Sequence, residues 1–412
     1  MSAANSSSSS APTSDPRVIE TPWGHIDLMD PKTHNDPWEM YDWLRENAPM
    51  YWDPINELWG VSSYDGIVEC ARQPKVFTSE DGNLPKMPPD PSFINLDGRK
   101  HHERRKLIHH YFTPKAVRKM TEEIRVAVDK LLDRVIERGE CDFVNEIAKP
   151  LPLYLIAQML GIPEESRDDV IEWMDEFVKG GNGPDHITEE VNEAFVNFGF
   201  LHYQLCDERR ENPKDDMLSM WVHATIDGVP LDDDELLFDH TLMIIGGGET
   251  TRASLGCAVE MLAKQPDDRA WLMDHPEGLK NATEEAIRYV TPFVRMSRTA
   301  AVDTTLEGVE VKKGEEVAML YGPANRDPNV FPNPHAFDIH RSFKKKSLAF
   351  GHGHHFCLGA FLARAEVSIG LEQMFARMPD WELAGEPTWV ESSFLRGLDS
   401  LPIRFTPGTK VY

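Results

Sequence analysis

From about Asp36 onward, apolar residues recur at intervals of three and four, the spacing that places them on one face of a helix, and prolines and glycines punctuate the segments. This pattern predicts a mostly α protein. Short alternating stretches at 58–63, at 309–320 around a Lys-Gly turn and at 402–406 predict strands, and so small sheets beside a helical body. No segment repeats at a fixed period, which excludes a solenoid or propeller.

The longest periodic stretch runs from 233 to 265, with Asp232 and Asp233 as candidate N-caps and Pro266 as its stop. Its 33 residues would span ~50 Å, enough for a central beam. Inside it lies Ile245-Gly246-Gly247-Gly248-Glu249-Thr250-Thr251, and three consecutive glycines cost a helix interior about 3 kcal/mol relative to alanine. Two explanations offset that cost. A bulky flat ligand could approach the backbone where the helix opens beside Glu249 and Thr250, or small residues could let neighbouring helices pack closely.

Two segments resist regular structure: the proline-rich 84–94 and the glycine-rich 179–185, each readable as a lid or as a surface connector. Residues 1–16 are Ser-rich with neither a basic start nor an apolar run, and are expected to form a disordered tail. No run reaches the ~18 apolar residues of a membrane span. The balance of 43 basic and 69 acidic residues gives a net charge of −26, which disfavours nucleic acid as a partner. Five cysteines, odd in number and widely spaced, argue against a disulfide framework and for the cytoplasm.

The sharpest chemistry lies in Phe350-Gly351-His352-Gly353-His354-His355-Phe356-Cys357-Leu358-Gly359, which leads into an apparently helical run. A cysteine at a helix N-terminus has its pKa lowered by unpaired N–H groups and the helix dipole, so Cys357 is a candidate thiolate metal ligand. Zinc is a second reading, disfavoured because adjacent His354 and His355 would compete for one coordination position. A buried inert cysteine is a third.

The pattern Phe350-Gly351-x-Gly353-x-His355-x-Cys357-x-Gly359 resembles the haem-binding loop of the cytochrome P450 family at every fixed position. Glu285 and Arg288 are similar to the family's E-x-x-R pair, an ion pair there. Residues 334–338 resemble the meander that follows it, without the usual Arg or Glu before Phe337, and Asn325 and Arg326 read as structural. His101 and Arg105 resemble an H-x-x-x-R pair that binds haem propionate, and Arg298 resembles a further propionate arginine. Together these matches extend from about 36 to 407, so the resemblance implies a single domain over 17–412 with the P450 fold, haem b lying between the long central helix and the cysteine-loop helix.

The resemblance implies metal ligation by Cys357, with Phe350, Gly351, His355, Gly359 and Gly247 also at the cofactor. Glu249 and Thr250 would be catalytic, handling protons while O2 is activated with two external electrons. Many relatives carry Asp where Glu249 stands. The implied donors are a ferredoxin and its reductase, for which Lys344, Lys345 and Lys346, with Arg104 and Lys106, suggest a basic dock. Met87, Phe93, Ile244, Gly247, Phe293, Val294, Phe394 and Leu395 match substrate-contact regions and suit a hydrophobic substrate. The segments 245–252, 138–144 and 397–402 are similar to bacterial P450s that hydroxylate the terminal carbon of sterol side chains. Alternatives are a terpenoid or branched fatty acid monooxygenase, a peroxygenase and, from another class, a haem-thiolate sensor.

Overall fold

The computed structural model describes residues 15–412, so the expected disordered tail lies outside it except for Asp15 and Pro16. Helix dominates, as the apolar spacing predicts. The body is built from α1 (Gly98–His109), α2 (Pro114–Val135), α3 (Pro150–Leu160), α4 (Arg167–Gly180), α5 (Glu189–Glu211), α6 (Asp233–Lys264), α7 (Leu279–Val290) and α8 (Ala360–Arg377). With 32 residues, α6 is the beam, and α3, α7 and α8 pack against it. Its start is a reciprocal cap: the Asp232 carboxylate accepts from the Glu235 N–H at 2.7 Å, and the Glu235 carboxylate accepts from the Asp232 N–H at 3.1 Å.

The three glycines do not open this helix, which stays α-helical throughout. Their reasons differ. A Cβ on Gly247 would stand 2.9 Å from Ile156 of α3, and one on Gly248 would stand 2.7 Å from Met174 of α4, whereas Gly246 faces nothing within 4 Å. Close packing explains two of them and open space the third. The glycine turned toward free volume is therefore Gly246, while Gly247 packs on Ile156 and still borders the same cavity.

A five-stranded sheet flanks the helices, with β1 (Met50–Asp53), β2 (Leu58–Val61), β3 (Phe77–Thr78), β4 (Arg295–Ala300) and β5 (Glu316–Leu320) in the order β1-β2-β5-β4-β3. The 309–320 stretch does hold two strands, but they are not each other's partners. Val309–Val311 pairs with Thr304–Leu306, while β5 runs parallel to β2 and antiparallel to β4. The C-terminal strand Pro402–Arg404 lies between Glu140–Asp142 and Glu382–Leu383 in a second small sheet.

Glu285 and Arg288 of α7 are both fully buried and joined by two bonds of 2.7 and 2.8 Å. Arg288 also donates to the carbonyl oxygens of Asn325, Pro334 and Ala336, and Arg341 donates to the same Glu285 carboxylate at 2.9 Å. A buried carboxylate is tolerated when it is fully paired and hydrogen-bonded, and here two guanidiniums do this. Arg341 thus supplies the cation that the 334–338 segment lacks. The network ties α7 to the 325–341 chain that leads into the cysteine loop. Asn325 extends it, accepting from the Leu348 N–H at 2.6 Å, and Arg326 stacks on Trp38 at 3.2 Å.

Candidate active site

The loop from Phe350 to Gly359 turns sharply because Gly351 and Gly353 hold left-handed φ values of 68° and 71°. Any side chain on Gly353 would also overlap the Ala71 carbonyl. The Cys357 N–H donates to Phe350 O at 2.9 Å, and the Gly359 N–H points at the sulfur. Burial pushes the Cys357 thiol up, against the pull of the Gly359 N–H and of Arg105 and Arg364. The lowering expected from a helix N-terminus is outweighed by desolvation, because apolar surroundings penalise a bare thiolate.

Beside the loop, His355 Nε2 lies 3.1 Å from Asp97 Oδ1 and 3.2 Å from Ser79 Oγ, and its ring stands 4.2 Å from that of His101. Burial raises Asp97, but hydrogen bonds from His355, Ser79 and Thr78 outweigh it and hold the carboxyl at about 2. Burial drives His101 down to about 3, with His355 and Arg105 adding to the shift. His101 is thus a neutral hydrogen-bonding group here. Its Nε2 is buried without a partner. Arg105 reaches Phe356 O, and Arg298 donates to Ser297 O at 2.6 Å. Among the described residues, neither arginine pairs with a carboxylate of the chain.

Between this loop and α6 lies a cavity of about 520 Å³. Phe350, Gly351, His355, Cys357 and Gly359 line one side, and Gly246, Thr250 and Thr251 line another. The donor set fits a haem: a half-buried cysteine facing open volume, two guanidiniums without a carboxylate partner at one edge, an orphaned His101 nitrogen behind His355, and a bare glycine opposite. Zinc lacks a comparable set, since no group of three or more His, Cys, Asp or Glu among the described residues is arranged to hold a metal.

Thr250 faces the cavity and donates from Oγ1 to Gly246 O at 2.9 Å. Glu249 does not line it. Its carboxylate is buried 3.0 Å from Arg252, which also donates to Leu398 O at 3.1 Å and approaches Asp175 and Asp399 at 3.8 and 3.7 Å. Burial raises the Glu249 carboxyl, with Arg252 pulling the other way. A second buried acid went unnoticed in the sequence. Glu366 of α8 lines the cavity, accepts from Thr251 Oγ1 at 3.0 Å and is pushed up to about 8 by burial. An acid within the apolar run 360–371 was the available signal.

Met87, Phe93, Gly247, Phe293 and Phe394 reach the cavity wall, but Ile244, Val294 and Leu395 do not. Ile244 is fully buried in the main core, and Ile245, rotated by about 100°, takes its place on the wall. Val294 uses its N–H to hold Phe394 O at 2.9 Å, and Leu395 bridges the Phe293 backbone. Phe177, Phe195, Phe238 and Met296 complete the apolar lining. The basic dock also loses a member, because Arg104 is buried and bonded to Asp239 and Glu235, leaving Lys106 and Lys344–Lys346 exposed. Neither candidate lid hangs free. Asn182 accepts from Ser392 Oγ at 2.7 Å and the Ser393 N–H at 2.9 Å, while Lys86 binds Glu316.

A long helix facing a glycine-punctuated cysteine loop across an apolar cavity, with two unpaired arginines at its edge, defines a haem-thiolate oxygenase. The family described as cytochrome P450 matches residues 276–383. A steroid C26-monooxygenase of Mycobacterium tuberculosis is 37% identical over 374 residues, covering 89% of this chain and 93% of that protein. The structure of CYP109E1 from Bacillus megaterium in complex with testosterone superposes with a TM-score of 0.84 at 32% identity, covering 91% of this chain and 99% of that one. That of Mycobacterium marinum CYP268A2 in complex with pseudoionone gives 0.86 at 30% identity, covering 93% and 99%. The chain belongs to the cytochrome P450 family and is a monooxygenase. Among the described residues, no helix is long and apolar enough to cross a membrane.

Proposed function

We propose that the protein uses haem b to hydroxylate an unactivated terminal C–H of a steroid side chain. The cavity's length carries this reading: Phe238 and Thr250 both line it, twelve positions apart on α6, a separation of ~18 Å along the helix. A long rigid molecule can lie along that wall with only its end beside Thr250 and Cys357. The steroid C26-monooxygenase relationship agrees with such an end-on pose. A terpenoid or branched fatty acid is the second reading, which the likeness to a pseudoionone complex favours.

Haem bound through Cys357 supplies activation of O2 with two electrons and two protons, one oxygen atom leaving as water. The chain's own groups do the rest. Arg105, Arg298 and His101 hold the propionates, with His355 fixed by Asp97 beside them. Thr250 positions a proton at Oγ1, and the neighbouring Glu249, whose carboxylate Arg252 holds in place, resupplies it as a general acid. Phe293 and Phe394, whose rings lie 5.2 Å apart, orient the substrate and exclude water.

Electrons come from a ferredoxin and its reductase, with the exposed Lys344–Lys346 run as a local dock on an otherwise acidic molecule. Residues 17–412 form a single domain, and the five free cysteines suit the cytoplasm. Incubation with cholesterol, ferredoxin, reductase and isotope-labelled O2 tests the proposal. One labelled oxygen on the terminal side-chain carbon is expected. Product from phytanic acid but none from cholesterol would replace the steroid reading with the second one.

A further inference from the structure

Gly181 sits directly after α4 with φ −64° and ψ −13°, ordinary right-handed geometry in which alanine would be the better residue. Backbone conformation therefore does not call for glycine. Its neighbour does. A Cβ on Gly181 would overlap Cδ1 of the Phe394 ring and stand 2.8 Å from Cε1 and Cγ. Neither backbone can give way, because Asn182 Oδ1 accepts from Ser392 Oγ and the Ser393 N–H, and Phe394 is held through its own N–H to Ser392 Oγ and its carbonyl to the Val294 N–H. Among the ring's other neighbours, Val178 and Leu395 are buried and packed, so the volume into which it can turn is the cavity.

We infer that Gly181 sets the width of the substrate cavity by letting Phe394 lie back against the chain, which admits a broad fused-ring body where a slender chain would need less room. Gly181 is a positioning residue acting through Phe394. The inference rests on the steroid reading and deepens it, since it names the feature that lets a polycycle in.

The test is binding of cholesterol and of phytanic acid to ferric holoprotein, read as the spin-state shift in the visible spectrum. Gly181→Ala should weaken cholesterol about tenfold or more, the scale of one overpacked methyl, and phytanic acid by less than about twofold. Phe394→Leu added to Gly181→Ala should restore cholesterol binding, a rescue that a merely destabilised loop would not show. Equal effects on both ligands, or no rescue, would overturn the inference. Should Gly181→Ala yield no holoprotein, Phe394→Trp enlarges the same ring and must show the same selectivity, its absence counting equally against the idea. If the wild-type protein shifts with testosterone but not with cholesterol, the side-chain reading fails alone and testosterone against phytanic acid decides the role of Gly181 by the same criteria; no shift with either steroid overturns both.

Discussion

Glu249 and Arg252 stand 3.0 Å apart on successive turns of α6, both side chains 6% exposed, one residue away from a threonine that faces the cavity. The acid is therefore a neighbour of the reaction chamber and not part of its wall. Arg252 keeps its own proton and anchors the carboxylate beside Asp175 and Asp399, whose side chains are 40% and 65% exposed. Replacing Glu249 with Gln keeps the shape and removes the acidic proton. Turnover should fall by about 10²-fold, with an enlarged solvent isotope effect and an unchanged reduced carbon monoxide spectrum. Undiminished turnover would take Glu249 out of the proton route.

Thr250→Ala removes the hydroxyl that faces the cavity while leaving the helix intact. Product formed per NADH consumed should drop about tenfold or more, with hydrogen peroxide accounting for the difference. Coupling measured by NADH, peroxide and product assays checks this. Thr250→Ser should recover most of the coupling.

Glu366 binds its proton more tightly folded than unfolded, since burial raises it from an ordinary value of 4.5 to about 8. A raised carboxyl contributes stability that is complete below the unfolded value and is lost as pH climbs through the folded one. Urea unfolding should thus show declining stability between about pH 4.5 and pH 8. Glu366→Gln should flatten that slope. An identical slope in the variant would place the pH dependence elsewhere.

Truncating Arg288 to Ala leaves Glu285 with Arg341 and the Asp338 N–H and strands the backbone carbonyls of Asn325 and Pro334. Loss of one partner from a buried pair costs about 3–5 kcal/mol. Holoprotein yield should collapse, and any protein recovered should melt far below the wild type in thermal denaturation.

Charge reversal at Lys344 and Lys345 should slow reduction by ferredoxin in stopped-flow measurements at low salt, with the difference shrinking as ionic strength rises. Substrate binding should stay as in the wild type. Equal rates at low salt would remove the lysine run from the dock.

Much of the site was legible in the sequence because its signals are local. The cysteine loop needs glycines at fixed offsets, and α6 is announced by its cap and apolar periodicity. The Glu285–Arg288 pair was readable for the same reason, but its third member Arg341 was not, being 56 positions from Glu285. Which of Ile244 and Ile245 meets the cavity also escaped, since one residue of helix rotation decides it and both are isoleucine.

By itself, the chain's sequence determined the helical class, the central beam and the glycine-punctuated cysteine loop, because each depends on neighbours within a turn or a tight loop. Tertiary structure alone decided that Gly247 and Gly248 pack against neighbouring helices while Gly246 has open space before it, that Arg104 is buried, and that Gly181 lies beneath Phe394. Those outcomes depend on contacts between segments far apart in sequence, where identical residues meet a helix, a cavity or solvent according to how the layers close. Burial then fixes the charge states, as with the neutral His101 and the proton-holding Glu366, because desolvation is a property of the assembled interior and not of the local peptide.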